Sequence, residues 1–286
     1  MAELLVELLS EEIPARMQAR AAEDFKRLVT LGLAKARLDF TAAQAFVTPR
    51  RLVLVVDGLP EYQPDIEEER KGPRVGAPQA AIDGFLKATG LASIAEARIQ
   101  ESGKGSFYFA VRSVRGWPTR AALTAVLAEA IAQMPWPKSM RWGSGTFRWV
   151  RPLHNVLAIL DGAPLAWSIA GAGDDGAAGR LRANDETRGH RFLAPETIRV
   201  ASFVDYATKL TGAKVILDPN ARRQMIRERA EAIAAAEGLT LKHDPGLLDE
   251  VTGLVEWPVL LMGRIDEAFM DLPPEVLTTA MRAHQK

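Results

Sequence analysis

Residues 4–9 read Leu-Leu-Val-Glu-Leu-Leu, and within a few positions the apolar residues change to a spacing of three to four. That change of period constrains the fold more than any other feature. A short, mostly apolar run suits a buried strand, and an amphipathic helix directly after it needs a sheet to lie on. Ser10 is expected to cap the helix, with Glu11 and Glu12 near its start and Pro14 in its first turn. Met17, Ala21, Phe25, Leu28 and Gly32 then carry the helical spacing to about Leu38.

Further along, Phe46-Val47 and Leu52–Val56 read as strands split by Thr48-Pro49-Arg50-Arg51. Pro60–Arg74 is charged, with Pro and Gly at its ends, and reads as a surface loop; Ala77–Thr89 reads as a helix. Ser106–Val114 alternates like a strand, Pro118–Met134 reads as a helix, and Phe147–Leu160 reads as one strand. On such a strand Arg148 and His154 would share a face, and Trp149 and Arg151 the other. Gly171–Gly179 reads as a Gly-, Ala- and Asp-rich loop and Thr187–Phe192 as a strand. Asp218-Pro219 and Asp244-Pro245 open helices, the first stopped by Gly238. Trp257–Leu260 suggests a strand, and Pro273–Arg282 a last helix. The expected class is α+β. A mixed sheet-and-helix body over 1–200 is followed by a mostly helical portion over 201–286, with no internal repeat or low-complexity segment.

With 36 basic and 36 acidic residues the chain is formally neutral, so a polyanion partner would have to rest on local patches. No cysteine is present, which removes disulfides, thiolate metal sites and a cysteine nucleophile. The early acidic residues are unlike a signal peptide, and no apolar run reaches membrane-helix length. A soluble, cytoplasmic protein is expected.

The densest chemistry lies in PKSMRWGSGTFRWVRPLH, residues 137–154, which gathers Lys138, Arg141, Arg148, Arg151, Trp142, Trp149 and His154. Guanidinium forks match phosphate oxygens, and indoles offer faces for stacking. A purely structural role is the competing reading, with tryptophans filling core space and arginines paired to carboxylates. Arg50 and Arg51 are expected at a hairpin tip, presented to an anion or simply solvated. Lys71-Gly72-Pro73-Arg74 is a second candidate phosphate contact, but it lacks the P-loop pattern. Arg188, His190 and Arg191 form a third cationic group. Arg222, Arg223, Arg227 and Arg229 are expected on a solvated helix face, balanced by Glu228 and Glu231. The four histidines have no metal-ligand pairing, and no nucleophile elbow, dinucleotide fingerprint or other catalytic constellation is present.

Taken together the strings LLVELLSEEIP, FVTPRRL, RKGP, MPWPKSMRWG, WVRPLH, TRGHRF and LLDEVTGLVEWPV resemble the beta subunit of the bacterial heterotetrameric (alpha2beta2) glycyl-tRNA synthetase. They run through nearly the whole chain in the family's order. Leu8-Leu9-Ser10 stands where the family commonly has a Gly-Thr. The resemblance implies an N-terminal part of a longer subunit, without the later HD-type and anticodon-binding domains. It implies two partners, the alpha subunit and tRNA-Gly. It also places aminoacylation, with ATP and magnesium, on the alpha subunit, so no cofactor is expected in this chain. Contact with tRNA or the alpha subunit is then expected of Arg50, Arg51, Lys71, Arg74, Lys138, Arg141, Trp142, Arg148, Arg151, His154, Arg188, His190 and Arg191, and not of the helix face at 222–229. Two other readings stay open: an editing-type hydrolase built on His154 and His190, and a purely structural scaffold.

Overall fold

The computed structural model describes residues 1–103, 105–172 and 179–284. By compactness the chain divides into one unit of Met1–Glu61 with Arg120–Lys286 and another of Tyr62–Thr119. Residues on both sides of position 200 belong to the first unit.

That unit is organised around β1 (Ala2–Ser10), the first strand of the chain. After it come α1 (Ala15–Lys35), β2 (Ala42–Val47) and β3 (Arg51–Leu59). β1 lies between β3 and a much later strand, pairing antiparallel with both. Because it has neighbours on both sides and cover on both faces, nearly every residue in it is buried. Alternation sends Leu4, Val6 and Leu8 to one face, where they meet Met17, Ala21, Phe25, Val29 and Leu33 of α1. Ser10 does not cap α1. Its N–H bonds Arg50 O at 2.8 Å and keeps it in the strand, and the helix begins after Pro14, which offers no side-chain cap.

The second unit holds β4 (Ile66–Arg74), α2 (Gln79–Thr89), β5 (Arg98–Ser102) and β6 (Gly105–Val114), in the sheet order β4-β6-β5. Pro60–Arg74 is therefore not all loop. Its Glu and Lys residues occupy an edge strand, where charge is tolerated and discourages further pairing. Pro73 sits at the irregularity between Lys71 and Arg74, where no ladder bond is needed.

The first unit resumes with α3 (Thr119–Ala132) and β7 (Leu153–Leu160), followed by β8 (Ala163–Pro164), β9 (Ser168–Ala170) and β10 (Arg180–Asn184). The main sheet runs β2-β3-β1-β7-β10-β9, with β8 beside β7, and only β10 joins in parallel. α3 covers the same face as α1, with Leu123, Val126 and Leu127 fully or nearly buried. Residues 147–152 do not extend β7. Trp149 and Met140 exchange backbone bonds of 2.8 and 3.2 Å, folding the segment onto itself instead. Most of Gly171–Gly179, at 173–178, lies outside the described residues.

β11 (Glu186–Arg188) and β12 (Thr197–Arg199) form a small ladder. The strand expected to Phe192 stops at Arg188; the His190 N–H turns to Ala213 O at 2.9 Å, and Gly189 lies so close to Ala194 O that an added Cβ would sit 2.2 Å from it. α4 (Phe203–Gly212), α5 (Pro219–Ala236), α6 (Pro245–Thr252) and α7 (Pro274–His284) follow. Tyr206 and Leu210 of α4, with Val215 and Leu217, cover the other sheet face over Leu5, Val53, Leu157 and Ile159. Residues 257–260 form no strand. Glu256 before them is engaged by its side chain and its carbonyl, and among the described residues no strand lies alongside 257–260 to pair with them.

Phe25 is fully buried, whereas Leu31 on the same helix is 51% exposed. Phe25→Ala is expected to lower unfolding free energy by about 3–5 kcal/mol. Leu31→Ala should cost less than about 0.5 kcal/mol. Denaturant titration followed by circular dichroism would separate the two, and equal losses would contradict this packing.

Candidate functional site

Glu7 and Arg51 point to the α4 side of the sheet, and both side chains are 0% exposed. Arg51 Nη1 donates to Glu7 Oε2 at 2.8 Å and to Thr187 Oγ1 at 2.9 Å. Its Nε donates to Glu256 Oε1 at 2.8 Å, and Nη2 to the carbonyls of Arg188 at 2.6 Å and Gly189 at 3.2 Å. Every nitrogen of the guanidinium is used. Thr48 Oγ1 donates to Glu256 at 2.6 Å, and the hydroxyls of Tyr206 and Thr187 donate to Glu7. Burial opposes the charge on Arg51, but Glu7 and Glu256 outweigh it and raise its pKa. Burial and then Glu7 raise the Tyr206 phenol, so it stays protonated as a donor. Arg51 is therefore neither an anion contact nor a solvated tip. It ties strand, hairpin and later segments together.

Arg222, expected on a solvated face, is also fully buried. Its guanidinium donates to the carbonyls of Ile216 at 2.6 Å, Leu217 at 3.0 Å, Val47 at 3.0 Å and Thr252 at 3.4 Å. With no carboxylate bonded to it among the described residues, burial pushes its pKa down to about 10. Gln18 of α1 adds a third clamp, donating to Ile13 O at 2.8 Å and Gly253 O at 2.7 Å. Arg223 pairs with Asp249 at 2.6 Å near the surface, and Arg227 is exposed. Arg229 reaches Pro258 O at 3.1 Å.

At the surface beyond Arg51, Glu11 gathers several of the cations expected to bind a partner. His154 Nε2 lies 2.7 Å from Glu11 Oε1, Arg191 3.4 Å from Oε2, and Arg50 at 4.0 Å. Arg191 also pairs with Glu12 and stacks over Phe192 at 5.0 Å. Burial raises the Glu11 pKa, but His154, Arg50 and Arg191 together overcome this and lower it. His190 Nδ1 accepts the N–H groups of Phe192 at 3.3 Å and Leu193 at 3.2 Å. Burial, with help from nearby arginines, lowers its pKa. Arg188 is exposed, and its carbonyl serves Arg51.

Residues 134–151 separate aromatic from cationic roles. Trp149 is buried, edge-on to Trp136 at 5.0 Å and stacked on Phe147 at 5.9 Å; Trp142 closes the group edge-on to Phe147 at 5.9 Å. The tryptophans thus fill core space, as the structural reading expects. The arginines depart from that reading. Arg141 and Arg148 are exposed, Arg151 is half-buried, and none has a carboxylate partner among the described residues. Arg148 is held by Ser139, through Oγ at 3.3 Å and the carbonyl at 3.2 Å, while Arg151 caps Val150 O at 2.8 Å. Lys138 is also exposed. Lys71 and Arg74 belong to the other compact unit, where the Lys71 ammonium lies 3.8 Å from the centre of the Phe107 ring.

The sequence matches the family described as glycyl-tRNA synthetase beta subunit over residues 4–286. Curated relatives include the glycine–tRNA ligase beta subunits of Rhodospirillum centenum, 56% identical, Paracoccus denitrificans, 51%, and a Ruegeria species, 50%. Each similarity covers all of this chain, which spans about two fifths of those relatives, at 42%, 41% and 41%. What the relatives share by name is a subunit of an aminoacyl-tRNA ligase. The chain belongs to the glycyl-tRNA synthetase beta subunit family.

Arg51→Met leaves two buried carboxylates without their cation and is expected to cost about 3–5 kcal/mol. Arg227→Glu should cost less than about 0.5 kcal/mol; chemical denaturation of both variants checks the contrast. For His190 the lowered pKa means that the neutral ring is the stabilised form. Its contribution is complete above the ordinary value of 6.5 and is lost as pH falls through the lower folded value. The melting temperature should fall between about pH 7.5 and about pH 5.5, with a shallower fall in His190→Gln. Parallel curves for the two proteins would contradict that assignment.

Proposed function

We propose that this chain supplies an RNA-contacting surface to a glycine–tRNA ligase and does not itself carry the aminoacylation site. The observation behind this is the state of Arg141 and Arg148: exposed, without a carboxylate partner among the described residues, and borne on a segment anchored by buried Trp149 and Val150. The Arg148 guanidinium, held at Ser139, loses little freedom on meeting phosphate, and each neutralised phosphate releases counterions. Such a surface positions RNA by its backbone rather than by its sequence. Attachment of glycine to tRNA-Gly, with its ATP and magnesium, is assigned to the alpha subunit of an alpha2beta2 assembly in the cytoplasm.

The hydrolase reading finds less support. His154 is engaged by Glu11, while His190 accepts two backbone N–H groups. A histidine so held would have to give up those bonds before acting as a general base. The cavities of about 700 and 640 Å³ beside α1 and α6 are lined by neither histidine.

The test is titration of this chain with tRNA-Gly, and separately with purified alpha subunit, each at two salt concentrations. Affinity for tRNA is expected to fall with salt, with a shallower dependence for the Arg141→Ala/Arg148→Ala variant. In the complete alpha2beta2 enzyme, Arg148→Ala with Arg151→Ala should lower kcat/KM for tRNA roughly tenfold. Binding to alpha alone, or unchanged kinetics at limiting tRNA, would reject the RNA assignment.

A further inference from the structure

Beside the same segment, α1 and residues 134–138 enclose a pocket of about 300 Å³. Its apolar walls come from Met17, Ala21, Met134 and Trp136. The sequence Met-Pro-Trp-Pro fixes one side, because each proline locks its own backbone φ and restricts the residue before it. Trp136 is further braced edge-on by Trp149. The slot is therefore preformed rather than a gap between mobile side chains.

Its rim is cationic. Arg16, Arg20 and Lys138 line it, with Asp24 as the one acid among the described residues. Asp24 is already engaged by Arg27 at 2.8 Å and Arg20 at 3.5 Å. Arg16 and Lys138 have no carboxylate partner among the described residues. Arg148 joins this rim in sequence, held at Ser139 next to Lys138.

We propose that this pocket binds one nucleotide unit, with the base in the Met/Trp/Pro slot and its phosphate at Arg16 and Lys138. The proposal rests on the RNA reading for the source of that nucleotide, and deepens it by naming where an unpaired base goes. The chemistry argues for a nucleotide over an acidic peptide. A nucleotide joins a flat ring with apolar faces to an anion a few bonds away, whereas a residue within a peptide offers either an acid or an apolar group. The volume is at the low end for small-molecule sites and suits a single base with its sugar. Aromatic walls accept any base, so the pocket adds affinity without strict sequence preference.

The experiment uses the 286-residue chain, a fluorescent eight-nucleotide oligouridylate, free AMP and UMP as competitors, and an acidic peptide containing phenylalanine. The variants are Arg16→Ala/Lys138→Ala at the rim, Ala21→Leu to fill the slot, and Arg148→Ala outside it. The rim variant should bind the oligonucleotide roughly tenfold more weakly, with a salt slope shallower by about 1. Ala21→Leu, if folded, should abolish competition by free mononucleotide. Displacement of the oligonucleotide by AMP or UMP at lower concentration than by unlabelled oligouridylate also supports the pocket, and assigns it to free nucleotide. Normal binding by the rim variant overturns the pocket; if Arg148→Ala still weakens the oligonucleotide, the wider RNA surface survives. Displacement by the peptide alone overturns the pocket in favour of a protein partner. No nucleic-acid binding by the unmodified chain overturns both.

Discussion

The Arg51 guanidinium, closed into the sheet between Glu7 and Glu256, is the interaction on which most of this architecture depends. Desolvating each of these ions costs several kcal/mol, and the cost is offset only when every donor and acceptor finds good geometry. Here the donors reach two carboxylates, a hydroxyl and two carbonyls, while Tyr206, Thr187 and Thr48 serve the remaining carboxylate lone pairs. Stretches far apart in sequence meet on one planar group. A hydrophobic replacement can pack as tightly, but it would not fix their relative positions through directional bonds. That fixed geometry reaches the surface, because the residues on either side of Arg51 and Thr187 carry Arg50, Arg188, His190 and Arg191.

The Arg/Trp segment solves a different problem with the same residue types. Its indoles and Phe147 stack inward as one aromatic group, leaving the arginines between them on the outside. The order matters energetically. Rings contribute buried area and make the backbone rigid, and of the cations they carry out to solvent Arg148 is held in place at Ser139. Cations around Glu11 are neutralised within the chain, whereas Arg141, Arg148 and Lys138 have no carboxylate partner among the described residues. Charge alone does not distinguish these two groups; the partners do.

Much of the fold was legible because period and punctuation agree. The apolar run at 4–9, the helical spacing from Met17, and the Asp-Pro starts of α5 and α6 all mark elements found in the structure. The failures share a physical cause. β4 was hidden because an edge strand carries the charged residues of a loop, and β7 was overextended because Trp149 pairs locally with Met140. Local composition misplaces Arg51 and Arg222 because it does not reveal an acid arriving from 205 residues away, or carbonyls from 30 and 175 residues away. One signal was available. Glu7 stands alone in an apolar strand, and a buried acid there requires a buried cation. The rim of the 300 Å³ pocket was half visible, in Lys138, but Arg16 and Arg20 join it only through the packing of α1.

The central place of β1 has a consequence for the order in which the protein is made. β1 leaves the ribosome before its partners, and β3 can pair with it once residues 51–59 emerge. Its other edge must wait for Leu153–Leu160, and Glu256 reaches Arg51 later still. Until β7 emerges the nascent chain carries an open, apolar strand edge, and for longer still a charge pair missing its second acid. Such an intermediate is what chaperones at the exit tunnel recognise. The strand edge is sealed once Leu153–Leu160 has emerged, whereas the charge cluster is complete only when the chain has run past residue 256.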